Sequence, residues 1–408
     1  MDTVIQKSYY DFLKKFVDAH LDILLNRRVY IFGAGPRGCN LLQLLRIYHV
    51  PDLYFVDNNP QKQGKQLDGC TVLSFSEANA HNGPCCFLCP VEGGQQILSQ
   101  LAEAGYRENV DYFNLDIQLT DYIDLMKEIG RPVDEYSLAF GCCVSASNIL
   151  GNKFMPSFGE LLKGQLLGGN SCKICTLPGM SAPMYYYILN VSMQLHNSEK
   201  LRFVFYLIEI TTFSRHSPLF VGKSNYYQSK LFLEQLIKLV PSADGLFDYY
   251  QLISERLESC VPSASPGKSF NIEKALQTVY RLKYNYSPDD IDQSNESIVH
   301  LKRMLKLLNQ KNVPAVLCFT PVDYMLGERI LGADFTNRYH MIVQKILSMI
   351  EGYSFSCIDA SFIAASDCFV QNSEYCPDVN PILNEKGQSV ALDFLRQQKA
   401  MQDLLSLE

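Results

Sequence analysis

No stretch of this chain is long and apolar enough to cross a bilayer: the longest apolar windows, such as 203–210, are broken by Glu209. It also lacks any basic run or basic face, and its net charge is −7, which argues against nucleic acid as a partner. The N-terminal segment Met1-Asp-Thr-Val-Ile-Gln-Lys has no apolar core of the kind a secretion signal needs, so a cytoplasmic location is expected. In a reducing compartment the 14 cysteines are expected as thiols rather than disulfides. Cys172 and Cys175 form one CxxC, with no second pair at zinc-ribbon spacing, and Cys85, Cys86 and Cys89 sit inside an apolar strand. No metal site is therefore expected, and most of these thiols read as small buried hydrophobes. Internal repeats and long low-complexity tracts are missing too.

What is present is a globular composition, 47 % apolar and 19 % charged, in a chain of 408 residues that is too long for one ordinary core. Helical periodicity over 8–25 precedes a strand at 29–32, a helix at 38–48 and a strand at 53–56. A short strand near Thr71, a strand at 85–89, a helix at 94–104, a strand near 110–114 and a helix at 117–130 follow. This alternation implies a parallel sheet. Arg131-Pro132 marks the expected boundary between a domain at 1–130 and a second at 131–408. The second domain reads as strand 136–140, helix 157–166, strand 172–177, helix 184–196, strand 203–208, helix 296–310, strand 315–319, helix 337–350, strand 355–359 and helix 385–404. Residues 241–296, rich in Ser, Pro and Tyr, read as a helical or irregular insertion.

The most informative local pattern is Val29-Tyr-Ile-Phe-Gly33-Ala-Gly35-Pro-Arg37-Gly38, a buried strand running into a glycine-rich turn and a helix. Gly33 permits the tight turn, Gly35 lets backbone approach a phosphate, and Gly38 lets helix and strand pack closely. The helix N-terminus offers free N–H groups and a partial positive charge. Asp57 ends the second strand, 22 residues beyond Gly35, about where an acid binds a ribose hydroxyl. Gly33, Gly35, Arg37, Gly38 and Asp57 are thus the expected cofactor-binding set. The alternative is a Rossmann-like half-fold that keeps its turn and binds nothing.

The run Tyr54-Phe-Val-Asp57-Asn-Asn-Pro60 … Gly64 … Leu67-Asp68-Gly69 … Val72-Leu-Ser74 resembles the N-terminal nucleotide-binding half of bacterial polysaccharide-biosynthesis and sugar-acyltransferase proteins. The resemblance covers residues 29–116 loosely and implies a sugar nucleotide or NAD(P) as ligand; docking of a partner or of the other domain is the alternative. Across 134–405 the order of blocks resembles the SGNH (GDSL-type) hydrolase and acyltransferase superfamily. A strand enters a small-residue turn at 141–145, Ser157-Phe-Gly-Glu-Leu-Leu follows, and Gly179 falls where that family places an oxyanion-hole glycine. Val316-Leu-Cys-Phe-Thr-Pro321 and Leu383-Asn384-Glu-Lys-Gly387 match later blocks. The fold class implied is α/β: a Rossmann-like half-fold with a parallel sheet, then an SGNH-like (flavodoxin-like) α/β/α sandwich.

The departures from that family concern chemistry. The nucleophile turn reads Gly141-Cys142-Cys143 rather than G-D-S, closer to the G-S-C-V-S of some glycan-cluster members, so Cys143 is the expected nucleophile. A small thiol that merely fits a tight turn is the alternative reading. Ser145 is a weaker nucleophile for want of a base. The third block's asparagine is absent, the strand running into Glu209-Ile-Thr211-Thr212, and the catalytic histidine position holds Ile382. His216, following the third-block strand, and Asp378, four residues before Ile382, are the remaining choices for base or partner. Glu209 is expected to pair with Arg215 or a backbone donor. Tyr185–Tyr187 and Tyr249–Tyr250 are expected as core aromatics, with stacking on sugar rings as the alternative.

These readings imply an acyl hydrolase or acyltransferase acting on sugars in surface-polysaccharide biosynthesis, with a small-molecule or glycan substrate. A catalytically degenerate SGNH-like module that binds or scaffolds, coupled to a nucleotide-binding domain, is the competing expectation. A dehydrogenase is disfavoured because the second domain offers no paired acid–base apparatus for hydride transfer.

Overall fold

The computed structural model describes residues 7–91, 95–115, 117–141, 157–167, 169–176, 180–214, 223–259, 282–283, 285–369 and 382–406. They form two α/β units, one running to Ile123 and the other from Asp124 onward. The division falls inside a single helix rather than at Arg131-Pro132.

In the first unit the strands are β1 (Arg28–Phe32), β2 (Leu53–Val56), β3 (Gln66–Leu67), β4 (Cys70–Leu73), β5 (Cys85–Cys89) and β6 (Tyr112–Asn114). They form one sheet in the order β3-β4-β2-β1-β5-β6, with every pairing parallel except β3–β4. The chain winds outward from β1 through β2 to β4, then returns to the other side of β1 for β5 and β6. Such a reversal opens a crevice beyond the carboxyl ends of β1 and β5.

Strand residues alternate between two faces, and helices cover both, which is why β1, β2 and β5 read as apolar runs. Val29, Ile31, Cys86 and Leu88 pack with Leu13 and Val17 of α1 (Lys7–Asn26) and Leu41 and Leu45 of α2 (Pro36–Ile47). Tyr30, Phe32 and Phe87 face the other way, against Ala78 of α3 (Phe75–Asn79) and Leu98 and Leu101 of α4 (Gln95–Glu103). The sequence reading misses β3. It pairs with β4 through a two-residue turn, Asp68 (φ 48°) and Gly69 (φ 74°), the left-handed pair a tight hairpin requires.

α5 (Ile117–Gly130) carries the chain into the second unit. There β7 (Tyr136–Gly141), β8 (Cys172–Thr176), β9 (Leu201–Ile208), β10 (Ala315–Phe319) and β11 (Ser356–Asp359) form a wholly parallel sheet in the order β11-β10-β9-β7-β8. The reversal here lies between β7 and β9. Ala139, Phe205, Leu207, Val316, Cys318 and Ile358 form one buried face with α6 (Phe158–Gln165). On the other face Phe140 stacks on Tyr185 of α7 (Ala182–His196), and both rings meet Tyr206.

In its described residues the expected insertion contributes helix: after α8 (Lys223–Leu239), α9 (Leu246–Ser259) packs against it. α10 (Glu296–Gln310), α11 (Tyr324–Leu331) and α12 (Asp334–Met349) follow. The last expected helix, 385–404, is two: α13 (Glu385–Gln397) and α14 (Lys399–Leu405), separated by Gln398 in an extended conformation. The break serves packing, since Leu395, Met401 and Leu404 all join the core on that face of the sheet.

Candidate ligand site

At the carboxyl end of β1 the three motif glycines have different physical reasons. Gly33 adopts φ +110°, and a Cβ there would lie 2.5 Å from Val91 Cγ2. Gly38 is needed for contact: its Cβ would come within 2.1 Å of the Gly33 carbonyl oxygen and 3.1 Å of the Phe55 ring. Gly35 has neither constraint. Its φ is −132°, accessible to any residue, and a Cβ there would meet no atom of the described residues within 4 Å. Gly35 is also the N-cap of α2 and has no side chain with which to cap it. Pro36 brings no N–H, and the first intrahelical bond is Cys39 N–H to the Gly35 carbonyl (2.9 Å). Among the described residues, open space therefore sits at the start of α2, the positive end of the helix dipole. Arg37 lies half-buried in that first turn.

Asp57 does a different job from the one expected. Its Oδ2 accepts the Ala34 N–H (2.9 Å) and the Lys62 ammonium (2.9 Å), and its Oδ1 accepts the Asn59 N–H (2.9 Å). Lys62 also donates to the Ala34 carbonyl (2.9 Å). Both backbone polar groups of the residue between Gly33 and Gly35 are thus clamped by one ion pair. Burial pushes the Asp57 carboxyl up, but the Asn59 and Ala34 N–H bonds and the Lys62 charge outweigh it and hold it below the usual range. Asp57 is a loop-positioning carboxylate, with its bonding capacity largely taken. Lys62 was not singled out from the sequence; the only signal is a lysine in the polar turn five residues after the acid that ends β2.

The other residues of the first resemblance have structural work as well. Asp68 and Gly69 make the hairpin turn. Ser74 accepts the Glu77 N–H (3.2 Å) while Glu77 accepts the Ser74 N–H (2.7 Å), a reciprocal cap on α3. After this accounting, the open position at Gly35 and one ammonium proton of Lys62 remain for a ligand.

In the second unit, the four expected catalytic residues, Cys143, Gly179, His216 and Asp378, lie outside the described residues. Of the described family-like blocks, the third-block strand and residues 316–321 supply β9 and β10, and the other two are helix starts. Ser157 and Glu160 form a second reciprocal cap, on α6 (3.2 and 2.7 Å). Asn384 accepts the Gly387 N–H (3.1 Å) and donates to the Asp367 and Phe369 carbonyls (2.7 and 3.2 Å). A Cβ on Gly387 would lie 2.1 Å from the Cys368 carbonyl oxygen. The Leu-Asn-Glu-Lys-Gly block thus docks α13, whatever chemistry accompanies it.

Polar groups gather where β9, β10 and β11 end. Glu209, 8 % exposed, accepts the Thr211 hydroxyl on Oε1 (2.6 Å), while the Thr212 hydroxyl donates to its backbone carbonyl (2.6 Å). Its expected partner Arg215 lies outside the described residues. Ser214 donates to Asp290 (3.0 Å), Asn295 to the Phe213 carbonyl (2.7 Å) and Ser297 to the Thr212 carbonyl (2.8 Å), tying the segment after β9 to the start of α10. Asp323 accepts the Ser366 hydroxyl (2.5 Å) and the Leu326 N–H (3.0 Å). Most of these bonds are caps and turns. Glu209 is the carboxylate nearest in sequence to the β7–β9 reversal.

Tyr185 and Tyr187 are 1 % and 2 % exposed and belong to the core. Tyr187 stacks on Tyr249, whose hydroxyl donates to Glu296 (2.7 Å), and Tyr250 donates to Glu234 (3.1 Å). Cys86, Cys89, Cys172 and Cys175 are buried, and burial pushes the Cys86 thiol up to about 12. Among the described residues no three His, Cys, Asp or Glu side chains converge as a metal-ligating group. No helix among them is long and apolar enough to span a membrane. Compared with models of known protein families and with curated proteins, the chain matches none.

Proposed function

We propose that the first unit binds a nucleotide, a sugar nucleotide or NAD(P), through the Gly33–Gly38 turn and the start of α2, in the service of surface-polysaccharide biosynthesis. The observation that carries this reading is Gly35: neither its φ nor any contact among the described residues requires glycine there, while a phosphate lying against the α2 N-terminus does. The test follows from the same geometry. Gly35→Val fills open space at an unstrained φ and so keeps the fold, yet blocks backbone approach. Calorimetric titration of the full chain with ADP, UDP and NAD should give binding in the wild type and at least a tenfold loss in Gly35→Val at unchanged thermal stability. Wild type that binds none of the three, or a variant that binds like wild type, overturns the reading.

A second reading concerns the second unit: transfer or hydrolysis of an acyl group on a sugar, with Cys143 as nucleophile. The parallel order β11-β10-β9-β7-β8 supports it, because β7 ends at Gly141, beside the sheet's reversal and two residues before Cys143 in the sequence. Ester hydrolysis abolished by Cys143→Ala would support it. Turnover indifferent to that change would remove Cys143 from the mechanism, and absence of turnover on acylated sugars would favour the degenerate binding module.

A further inference from the structure

At the carboxyl end of β1 in the first unit, Lys62 is a charged group with a proton to offer. Two of the three Lys62 ammonium protons go to the Ala34 carbonyl and to Asp57 Oδ2. For the third, no acceptor is found among the described residues, and the side chain is 43 % exposed, so that proton faces solvent. The two bonds already made fix the ammonium beside Ala34, one residue from Gly35. Asp57 is itself anchored by the Ala34 and Asn59 N–H groups, so the pair is rigid before any ligand arrives. A pre-positioned cation loses little side-chain freedom on binding, which is what makes a fixed donor effective.

The same bonds limit what Asp57 can read. Oδ2 already accepts two donors and Oδ1 one, and the carboxylate charge is balanced by the ammonium at 2.9 Å. Two ribose hydroxyls cannot both find an acceptor there without displacing part of the clamp, and an anionic group is no longer repelled. We propose that Lys62 is the ligand-contacting cation of this crevice and that its third proton goes to a phosphoryl oxygen. The site therefore selects for a phosphorylated ligand at the sheet end of α2. This rests on the nucleotide-binding reading of the first unit. The oxygen can belong to a 5′-diphosphate or to a phosphate on the ribose, and the ligands tested separate the two.

The experiment is calorimetric titration of the full chain with adenosine, ADP, UDP and adenosine 2′,5′-bisphosphate, using wild type, Lys62→Gln, Lys62→Arg and Gly35→Val. Glutamine keeps a neutral donor for the Ala34 carbonyl, and arginine keeps the charge. Loss of a charge-assisted bond should weaken phosphorylated ligands by about tenfold or more in Lys62→Gln, with Lys62→Arg closer to wild type. Adenosine should be unaffected. A loss confined to the diphosphates places the bond on the 5′ side, and a loss confined to the 2′,5′-bisphosphate places it on the ribose; either supports the proposal. Lys62→Gln binding ADP, UDP and the bisphosphate like wild type, while Gly35→Val binds none, would overturn the role of Lys62 and leave the nucleotide reading intact. Wild type that binds none of the ligands would overturn both.

Discussion

Replacing Lys173 by methionine should change how the stability of the second unit depends on pH. Lys173 is fully buried, and its ammonium meets the carbonyls of Ile129 and Arg131 at 2.7 Å each and His196 Nε2 at 2.9 Å. Those carbonyls end α5, so the charge also lies at the negative end of a helix. Burial, helped by the nearby Arg131 charge, lowers its pKa from 10.5 to about 8. Between these values the unfolded chain holds a proton that the folded chain releases, so stability rises with pH across that window. Below pH 8 the full penalty applies. At about 1.36 kcal/mol per pH unit the interval is worth roughly 3 kcal/mol, an upper figure because two close carbonyl acceptors favour the charged form. Methionine keeps the length and removes the titration, but it strips the Arg131 carbonyl of its ammonium donor, at a cost of about 1–3 kcal/mol. Urea unfolding of wild type and Lys173→Met from pH 7 to 10.5 should show the variant's deficit widening by up to ~3 kcal/mol toward high pH. Thiols and tyrosines titrate in both proteins and cancel in the difference. A deficit constant to within about 0.5 kcal/mol over that range would refute the reasoning, because it would mean that Lys173 stays charged throughout.

Three further outcomes are expected. Gly38→Ala drives a methyl into the Gly33 carbonyl and should destabilise the first unit by about 3 kcal/mol or more, whereas Gly35→Ala should lie within about 0.5 kcal/mol of wild type; urea unfolding of both checks the contrast. Asn384→Ala loses the cap on α13 and two bonds to backbone carbonyls, and should cost about 2 kcal/mol in the same assay; a neutral result would deny this block its docking role. His300 sits among the rings of Tyr186, Tyr187 and Tyr249, its Nε2 without a hydrogen-bond partner among the described residues, and burial holds its pKa below 6.5. The unfolded chain therefore takes up the proton first, so stability should fall as pH drops below about 6.5, and His300→Phe should flatten that slope in thermal melts at pH 5 to 7.

Much of the fold was legible because buried parallel strands are written as apolar runs and their crossover helices as periodic ones. β2 and β5, α5 and α10 fall where the pattern puts them. β3 was invisible because two residues carry no periodicity, although the Asp68-Gly69 turn beside it does carry a signal. The split between α13 and α14 was hidden because neither proline nor glycine marks it. Gln398 breaks the helix so that Met401 and Leu404 can reach the core, a packing demand from residues far away in the chain.

The candidate site divides in the same way. The sequence by itself determined that a glycine turn joins a buried strand to a helix start and that an acid ends the next strand, since local backbone chemistry dictates both. It could not tell a ligand-binding residue from a scaffold residue within one motif. Only the tertiary structure decided that Gly33 and Gly38 answer to Val91 and Phe55, that Gly35 answers to no described side chain, and that Asp57 spends its bonds on Ala34, Asn59 and Lys62. The physical reason is that bonding capacity is consumed through space. What remains for a ligand is known only when every neighbour, near or distant in the chain, has taken its share.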